Sequence, residues 1–137
     1  MIDIRRLYYE FQYSSYVRKL PFYLVRHYGF RRFYKKKTVD SVVRQYGFNA
    51  RFSPIAYAIV SHPRDFEVSS RAFEPHPTRD YIRRRISSRY FAGNQDFDFL
   101  DLMKVSIFKS NWGSGGHSTN EEYWHYVGKL KSEKVNK

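Results

Sequence analysis

Apolar residues recur at helical intervals from the start of the chain. Ile4, Leu7, Tyr8 and Phe11 lie three and four apart, with Asp3 placed as an N-cap and Arg5 and Arg6 on the opposite side. This spacing predicts an amphipathic helix from Ile4 to about Lys19. Pro21 interrupts it. Proline fits a first helical turn, so Pro21 to Tyr28 is predicted as a second short helix stopped by Gly29, with Phe30 to Lys37 as a connector. Thr38 is placed to cap a helix that turns Val39, Val42 and Val43 inward, and Gly47 suits the left-handed position after it. Ser53-Pro54 opens the next helix, with Ile55, Ala56, Ile59 and Val60 as its buried stripe. That apolar run suits a buried strand equally well.

The second half is punctuated by proline and glycine. His62-Pro63 and Pro75-His76-Pro77 bracket a stretch with room for a short helix around Asp65 to Val68. Thr78 caps the clearest helix, in which Tyr81, Ile82, Ile86 and Tyr90 share a face, and Gly93 ends it. Asp98 opens a further helix through Phe99, Leu102, Met103 and Ile107, with a strand near Lys104 to Phe108 as the alternative. Trp112 to Thr119 reads as a glycine-rich loop. Thr119 or Asn120 then opens a last helix with Tyr123, Trp124, Val127 and Leu130 inward, followed by a loose tail from Ser132 to Lys137. With no internal repeat and no proline-rich linker, the expected fold is mainly α: a single compact domain over residues 1–131, built of about five to seven short helices. The α+β alternative would place short strands at Ile55–Val60 and Lys104–Phe108.

Composition sharpens this picture. The chain has 137 residues, 42% of them hydrophobic, enough for its own core. With 13 Tyr, 12 Phe and 2 Trp, much of the core volume must come from rings, and tyrosines are expected at its margin. Cysteine is absent, which excludes disulfides, thiolate zinc sites and cysteine nucleophiles and fits a reducing, cytoplasmic compartment. The apolar runs fall far short of the roughly 20 residues of a membrane span, so a membrane is not an expected partner. The N-terminus lacks the pattern of a secretory signal.

The net charge is +12, and the first 50 residues hold 11 basic and 3 acidic groups. Such an excess biases a protein toward anions. Between Phe11 and Val39 the chain carries cations and aromatic rings but no carboxylate, a combination suited to phosphates and stacked bases. Arg31, Arg32, Lys35, Lys36 and Lys37 are the candidate phosphate contacts there, with Phe30, Phe33 or Tyr34 as a stacking ring. A second group, Arg79, Arg83 and Arg84, is spaced to reach one side of a helix and track a phosphate backbone, with Arg85 and Arg89 pointing elsewhere.

Other chemistry is weakly represented. His117, Glu121 and His125 resemble a metal set in composition only, and the glycine-rich loop Asn111 to His117 lacks P-loop and dinucleotide spacings. Asp96, Asp98 and Asp101 suit a helix start better than acid–base catalysis, and no nucleophile elbow is present. The expected function is therefore a non-enzymatic nucleic-acid-binding domain, for RNA or single-stranded DNA, with no cofactor and no metal. Its rival is an interaction module that docks an acidic protein partner or forms a homodimer.

Lys19-Leu20-Pro21, Tyr28-Gly29, Phe33-Tyr34 before Thr38-Val39, Gly47-Phe48, Tyr57-Ala58 and Tyr90-Phe91-Ala92-Gly93 together resemble a family of short uncharacterised bacterial proteins. The resemblance spans about Arg18 to Gly93. It implies a bacterial, cytoplasmic setting and transfers no activity.

Overall fold

The computed structural model of the protein describes residues 4–109. Six α-helices follow one another: α1 (Ile4–Tyr28), α2 (Lys36–Gln45), α3 (Ser53–Val60), α4 (Phe66–Ser70), α5 (Arg79–Tyr90) and α6 (Phe99–Lys109). Single 3₁₀ turns lie at Ala50–Phe52, Pro63–Asp65 and Arg71–Phe73. No strand occurs among the described residues, so both stretches weighed as strands are helical. The expected glycine-rich loop, last helix and C-terminal tail lie outside the described residues.

The centre of the domain is α3, whose eight residues are all buried, and α1, α2, α4 and α5 pack around it. This explains why its sequence is apolar on every side and ambiguous by periodicity: a helix surrounded by partners needs no polar face. Along α1, Tyr13, Tyr16, Val17, Leu20, Leu24 and Val25 turn inward at intervals of three and four. α6 lies beside α1. Phe99 at its start packs on Phe30 and Tyr34 just beyond the far end of α1, while Ser106 Oγ donates to the Arg18 carbonyl 2.5 Å away. The two helices are thus antiparallel, and α6 heads toward the N-terminal half of α1.

Several local expectations hold. Thr78 Oγ1 accepts the Tyr81 N–H at 3.1 Å, and Asp98 and Asp101 cap each other's backbone N–H reciprocally at 3.0 Å. The short helix expected around Asp65 is α4. Gly47 takes φ +69° after α2, a left-handed turn that costs a residue with a Cβ appreciably more.

Other expectations are corrected. α1 runs unbroken through Pro21, which is buried, so the predicted pair of helices is one. A proline inside a helix costs about 3 kcal/mol. The inward side chains on both flanks of Pro21 offset that cost by burying apolar area, a long-range term that local propensity omits. α2 begins at Lys36 with Lys35 as N-cap, which leaves Thr38 inside the helix. Ser53 is likewise the first buried residue of α3 and not its cap. The N-terminal stripe predicted to face the core is exposed: Ile4, Leu7 and Phe11 are 80%, 56% and 65% accessible. Tyr81 also faces solvent, while Ile82 and Ile86 point inward as expected.

Tyrosines go deeper than the margin. Tyr16, Tyr34 and Tyr57 are fully buried, and their hydroxyls donate to the Asn49 carbonyl (2.7 Å), the Gly29 carbonyl (2.8 Å) and the Asp40 carboxylate (2.5 Å). Burial pushes the Tyr13 phenol up to about 12 and raises Tyr16 and Tyr57 as well, with Asp40 adding to the rise at Tyr57. An unfolded phenol ionises near pH 10. Above that pH the folded chain retains protons that the unfolded chain has lost, so this contribution is complete below pH 10 and declines as pH rises through the folded values. Arg83, held at about 10 by burial, and Arg79, also lowered by burial, act in the opposite sense above pH 10, two groups against three. The urea midpoint should therefore be flat from pH 7 to 9 and fall above pH 10, with these three phenols ionising only as the protein unfolds, read by absorbance near 295 nm.

Candidate nucleic-acid interface

The two cationic groups singled out in the sequence come together only in part: Arg83 is bonded at the end of α3 beside the connector, while Arg84 faces the N-terminal half of α1. Arg31, Arg32, Lys35, Lys36 and Lys37 sit beyond the C-terminal end of α1, next to the end of α3, where the Tyr34 N–H donates to the Val60 carbonyl at 2.8 Å. Arg84, Arg85 and Arg89 of α5 face the N-terminal half of α1. About 27 Å of helix separates Glu10 from Tyr28 at 1.5 Å per residue.

Within the connector, all five cations are exposed. Lys36 is bonded to Asp40 at 2.5 Å, and the Arg32 guanidinium lies 5.4 Å from the Phe33 ring. Tyr34 is only 1% accessible and serves as a bolt. Besides its bond to Gly29, its hydroxyl accepts the Arg31 N–H at 3.3 Å, and its carbonyl accepts from Ser61 Oγ at 2.8 Å. Its ring is closed to a stacking base, a correction to its expected role. Phe33 is partly exposed, with its ring against His62.

Arg83 is the second correction. It turns into the core, 9% accessible, with its guanidinium 3.8 Å from the Phe97 ring. Nη1 donates to the Ala58 carbonyl at 3.1 Å and Nη2 to the Gln95 and Phe97 carbonyls. It joins the end of α3 to the loop before α6 and cannot also hold a phosphate. Burial lowers its pKa, with Arg79 adding to the shift against Asp96 and Asp98. Arg79, at the start of α5, is half-buried and also lowered by burial. Of the three arginines predicted to act together, Arg84 remains fully on the surface.

Arg84 opens onto a groove of about 800 Å³ between α1 and α5, lined by Arg5, Arg6, Tyr9, Glu10, Arg85 and Arg89 among others. Glu10 is the only carboxylate within α1. Its two oxygens accept from Arg85 and, at 2.8 Å, from Arg89, aligning two guanidinium groups along the wall. Arg85 also donates to the Tyr81 hydroxyl at 3.2 Å and lies 5.0 Å from the Tyr13 ring. Burial alone would lower its pKa; the Tyr81 bond and Glu10 outweigh that and raise it. Arg84, Arg85 and Arg89 against that one carboxylate leave this part of the groove cationic.

Tyr9, Tyr81 and Arg85 of the groove also line a neighbouring cavity of about 550 Å³. Tyr8, Tyr9 and Phe52 form its aromatic wall, packed edge to face with centroids 5.6 to 6.1 Å apart. Asn49 Nδ2 donates to the Tyr8 hydroxyl at 2.9 Å and fixes that ring, which stays 47% accessible. The wall is therefore organised before any ligand arrives, which lowers the ordering cost of binding.

Sequence reasoning left this cleft out because it assigned Tyr8 to the core and Arg85 and Arg89 to an idle face. One signal for it was present. Arg85 and Arg89 are a like-charge pair at i,i+4, which a helix tolerates best with a carboxylate from elsewhere between them.

Fold and cleft together define a small, mainly helical protein with a cationic, aromatic-walled groove. The chain belongs to a family of unknown function (DUF6559), which it matches over residues 4–129. No curated protein and no solved structure matches it. Among the described residues, no group of side chains could hold a metal ion, and no helix is long and apolar enough to cross a membrane.

Proposed function

We propose that this protein is a non-enzymatic nucleic-acid-binding domain that takes single-stranded RNA or DNA along the α1–α5 groove. The supporting observation is that the arginine-lined groove and the tyrosine-walled cavity lie side by side and share Tyr9, Tyr81 and Arg85. Planar guanidinium groups pair well with phosphate oxygens. An unstacked base offers the flat apolar face that exposed tyrosines receive, whereas a duplex keeps its bases stacked on one another. The connector cations Arg31, Arg32, Lys35, Lys36 and Lys37 contribute long-range attraction from the other end of α1. A bacterial, cytoplasmic setting is part of the same proposal, supported by the motif resemblance and by a chain free of cysteine.

The test is fluorescence anisotropy with a labelled oligouridine against a duplex of equal length. Arg84, Arg85 and Arg89 set against Glu10 leave two net positive charges, which correspond to a log affinity–log salt slope of about −1.4 on single strands, or roughly a sevenfold loss from 50 to 200 mM salt. Binding that ignores salt, or that prefers the duplex, contradicts the assignment. Glu10→Gln removes the groove's carboxylate. It should steepen the slope by close to one contact while lowering folding stability by only ~1 kcal/mol, as suits a partly exposed ion pair. Parallel salt and urea titrations separate the two effects.

A further inference from the structure

We propose that the cavity beside the α1–α5 groove receives a guanine base of the bound strand and reads it through Glu74 and Arg51. This rests on the groove being a single-strand site and adds a base preference to it. The cavity, about 550 Å³, has the size of a small-ligand pocket. Tyr8, Tyr9 and Phe52 supply faces on which a flat ring stacks. Two opposite charges line the same space: the Arg51 guanidinium, one residue before Phe52, and the Glu74 carboxylate, one residue after Phe73. Both residues are exposed, and neither side chain has an ion-pair or hydrogen-bond partner among the described residues. A site that only stacked bases and held phosphates would gain nothing from Glu74, whose charge repels the backbone of the strand.

The segment that carries Glu74 is anchored on both sides. Phe73 packs on buried Tyr57 with ring centroids 6.2 Å apart. His76 meets buried Phe66 edge to face at 5.4 Å, and its Nδ1 donates to the Pro77 carbonyl at 2.8 Å. The carboxylate is therefore offered from a backbone already in place.

The chemistry of the pair selects the base. An ionised carboxylate only accepts hydrogen bonds, and a guanidinium only donates them. The Watson–Crick edge of guanine has two adjacent donors, N1–H and the N2 amino group, beside one acceptor, O6. Glu74 accepts from the two donors and Arg51 donates to O6, charge-assisted bonds in both cases. Adenine brings one donor and one acceptor to the same edge. Uracil has a single donor between two carbonyl oxygens, so one of them faces the carboxylate. Cytosine has one donor and two acceptors, which leaves one carboxylate oxygen unmatched, and it offers the aromatic wall a smaller ring than a purine does.

Fluorescence anisotropy with oligouridine strands that differ at one central position tests the assignment. Guanine there should tighten binding at least about tenfold over uracil, the scale of a bidentate base contact, with adenine and cytosine severalfold below guanine. Hypoxanthine, which lacks the N2 amino group, should lose severalfold against guanine, whereas 7-deazaguanine keeps the Watson–Crick edge and should match it. Glu74→Ala, at an exposed position without a side-chain partner, should leave the urea midpoint and oligouridine affinity nearly unchanged and bring the guanine strand down to the oligouridine level. Free guanosine monophosphate should bind at least about tenfold more weakly than the guanine strand, because it lacks the phosphates that follow the groove. Another base bound as tightly as guanine, a guanine preference that survives Glu74→Ala, or monophosphate bound as tightly as the strand would each overturn the proposal. Salt-dependent oligouridine binding with no gain from guanine would overturn it and leave the groove assignment standing; no binding of either strand would remove both.

Discussion

Arg83→Met is expected to destabilise the fold by ~3–5 kcal/mol, a large part of the stability of a domain this size. The guanidinium is the donor for three carbonyls from two separate segments, Ala58 at the end of α3 and Gln95 and Phe97 before α6, and its plane lies over the Phe97 ring. Methionine preserves much of the volume and none of the donors. Each acceptor left buried without a partner costs about 1–3 kcal/mol, less where water can enter beside Gln95. Arg83→Lys should fall between: an ammonium can reach one or two of the carbonyls but lacks the planar fork. Urea denaturation decides the matter, and a midpoint change equivalent to less than ~1 kcal/mol for Arg83→Met would show that the carbonyls find other donors.

The second large effect concerns binding. Arg84→Glu combined with Arg89→Glu reverses two charges in the groove and should reduce affinity for oligouridine by at least about a hundredfold at 50 mM salt, through lost contacts and added repulsion. Lys35→Glu combined with Lys37→Glu changes the net charge of the protein by the same amount at the connector. Its expected effect is severalfold at most, because those residues lie at the other end of α1 and act only through the screened long-range field. Equal losses for the two pairs would mean that net charge governs binding and the groove does not. The groove pair should leave the urea midpoint close to that of the native chain, since Arg84 is exposed and Arg89 contributes one partly exposed ion pair.

Features whose causes lie within a few residues were legible in the sequence. The Thr78 cap, the Asp98–Asp101 start of α6 and the turn at Gly47 each depend on a side chain or backbone preference acting over one turn. The mainly α class was legible too, once the ambiguous run at Ile55–Val60 is seen to be buried on every side. What failed depended on contacts distant in the chain. Pro21 stays helical because α1 is packed along its length, a term absent from local propensity.

The same division applies to the site. The expected site residues were the connector cations with Tyr34, and Arg79, Arg83 and Arg84; the cleft instead sets Arg84, Arg85 and Arg89 beside Tyr8, Tyr9 and Tyr81, and of these only Arg84 was among the residues named from sequence. Arg83 looked equivalent to Arg84 by sequence because nothing local distinguishes them. Their fates separate only when Ala58 and Phe97 bring carbonyls to one of them. Tyr34 was selected as a ring flanked by cations, yet the hydroxyl acceptor five residues earlier and the end of α3 draw it inside. The exposed stripe of Ile4, Leu7, Tyr8 and Phe11 was assigned to the core by its helical spacing, whereas the side of α1 that is buried carries Tyr13, Tyr16 and Val17. Amphipathic spacing identifies a face and does not say which partner covers it.

The central claim is that a single strand lies in the α1–α5 cleft with a base against its tyrosine wall. Ultraviolet crosslinking of bound oligouridine, followed by mass mapping of the modified peptides, tests it most directly. The adducts should fall on Tyr8, Tyr9 or Tyr81 and should decrease when Arg84 and Arg89 are reversed. Adducts confined to Phe33 and the Phe30–Lys37 connector, with the cleft tyrosines unmodified, would contradict it.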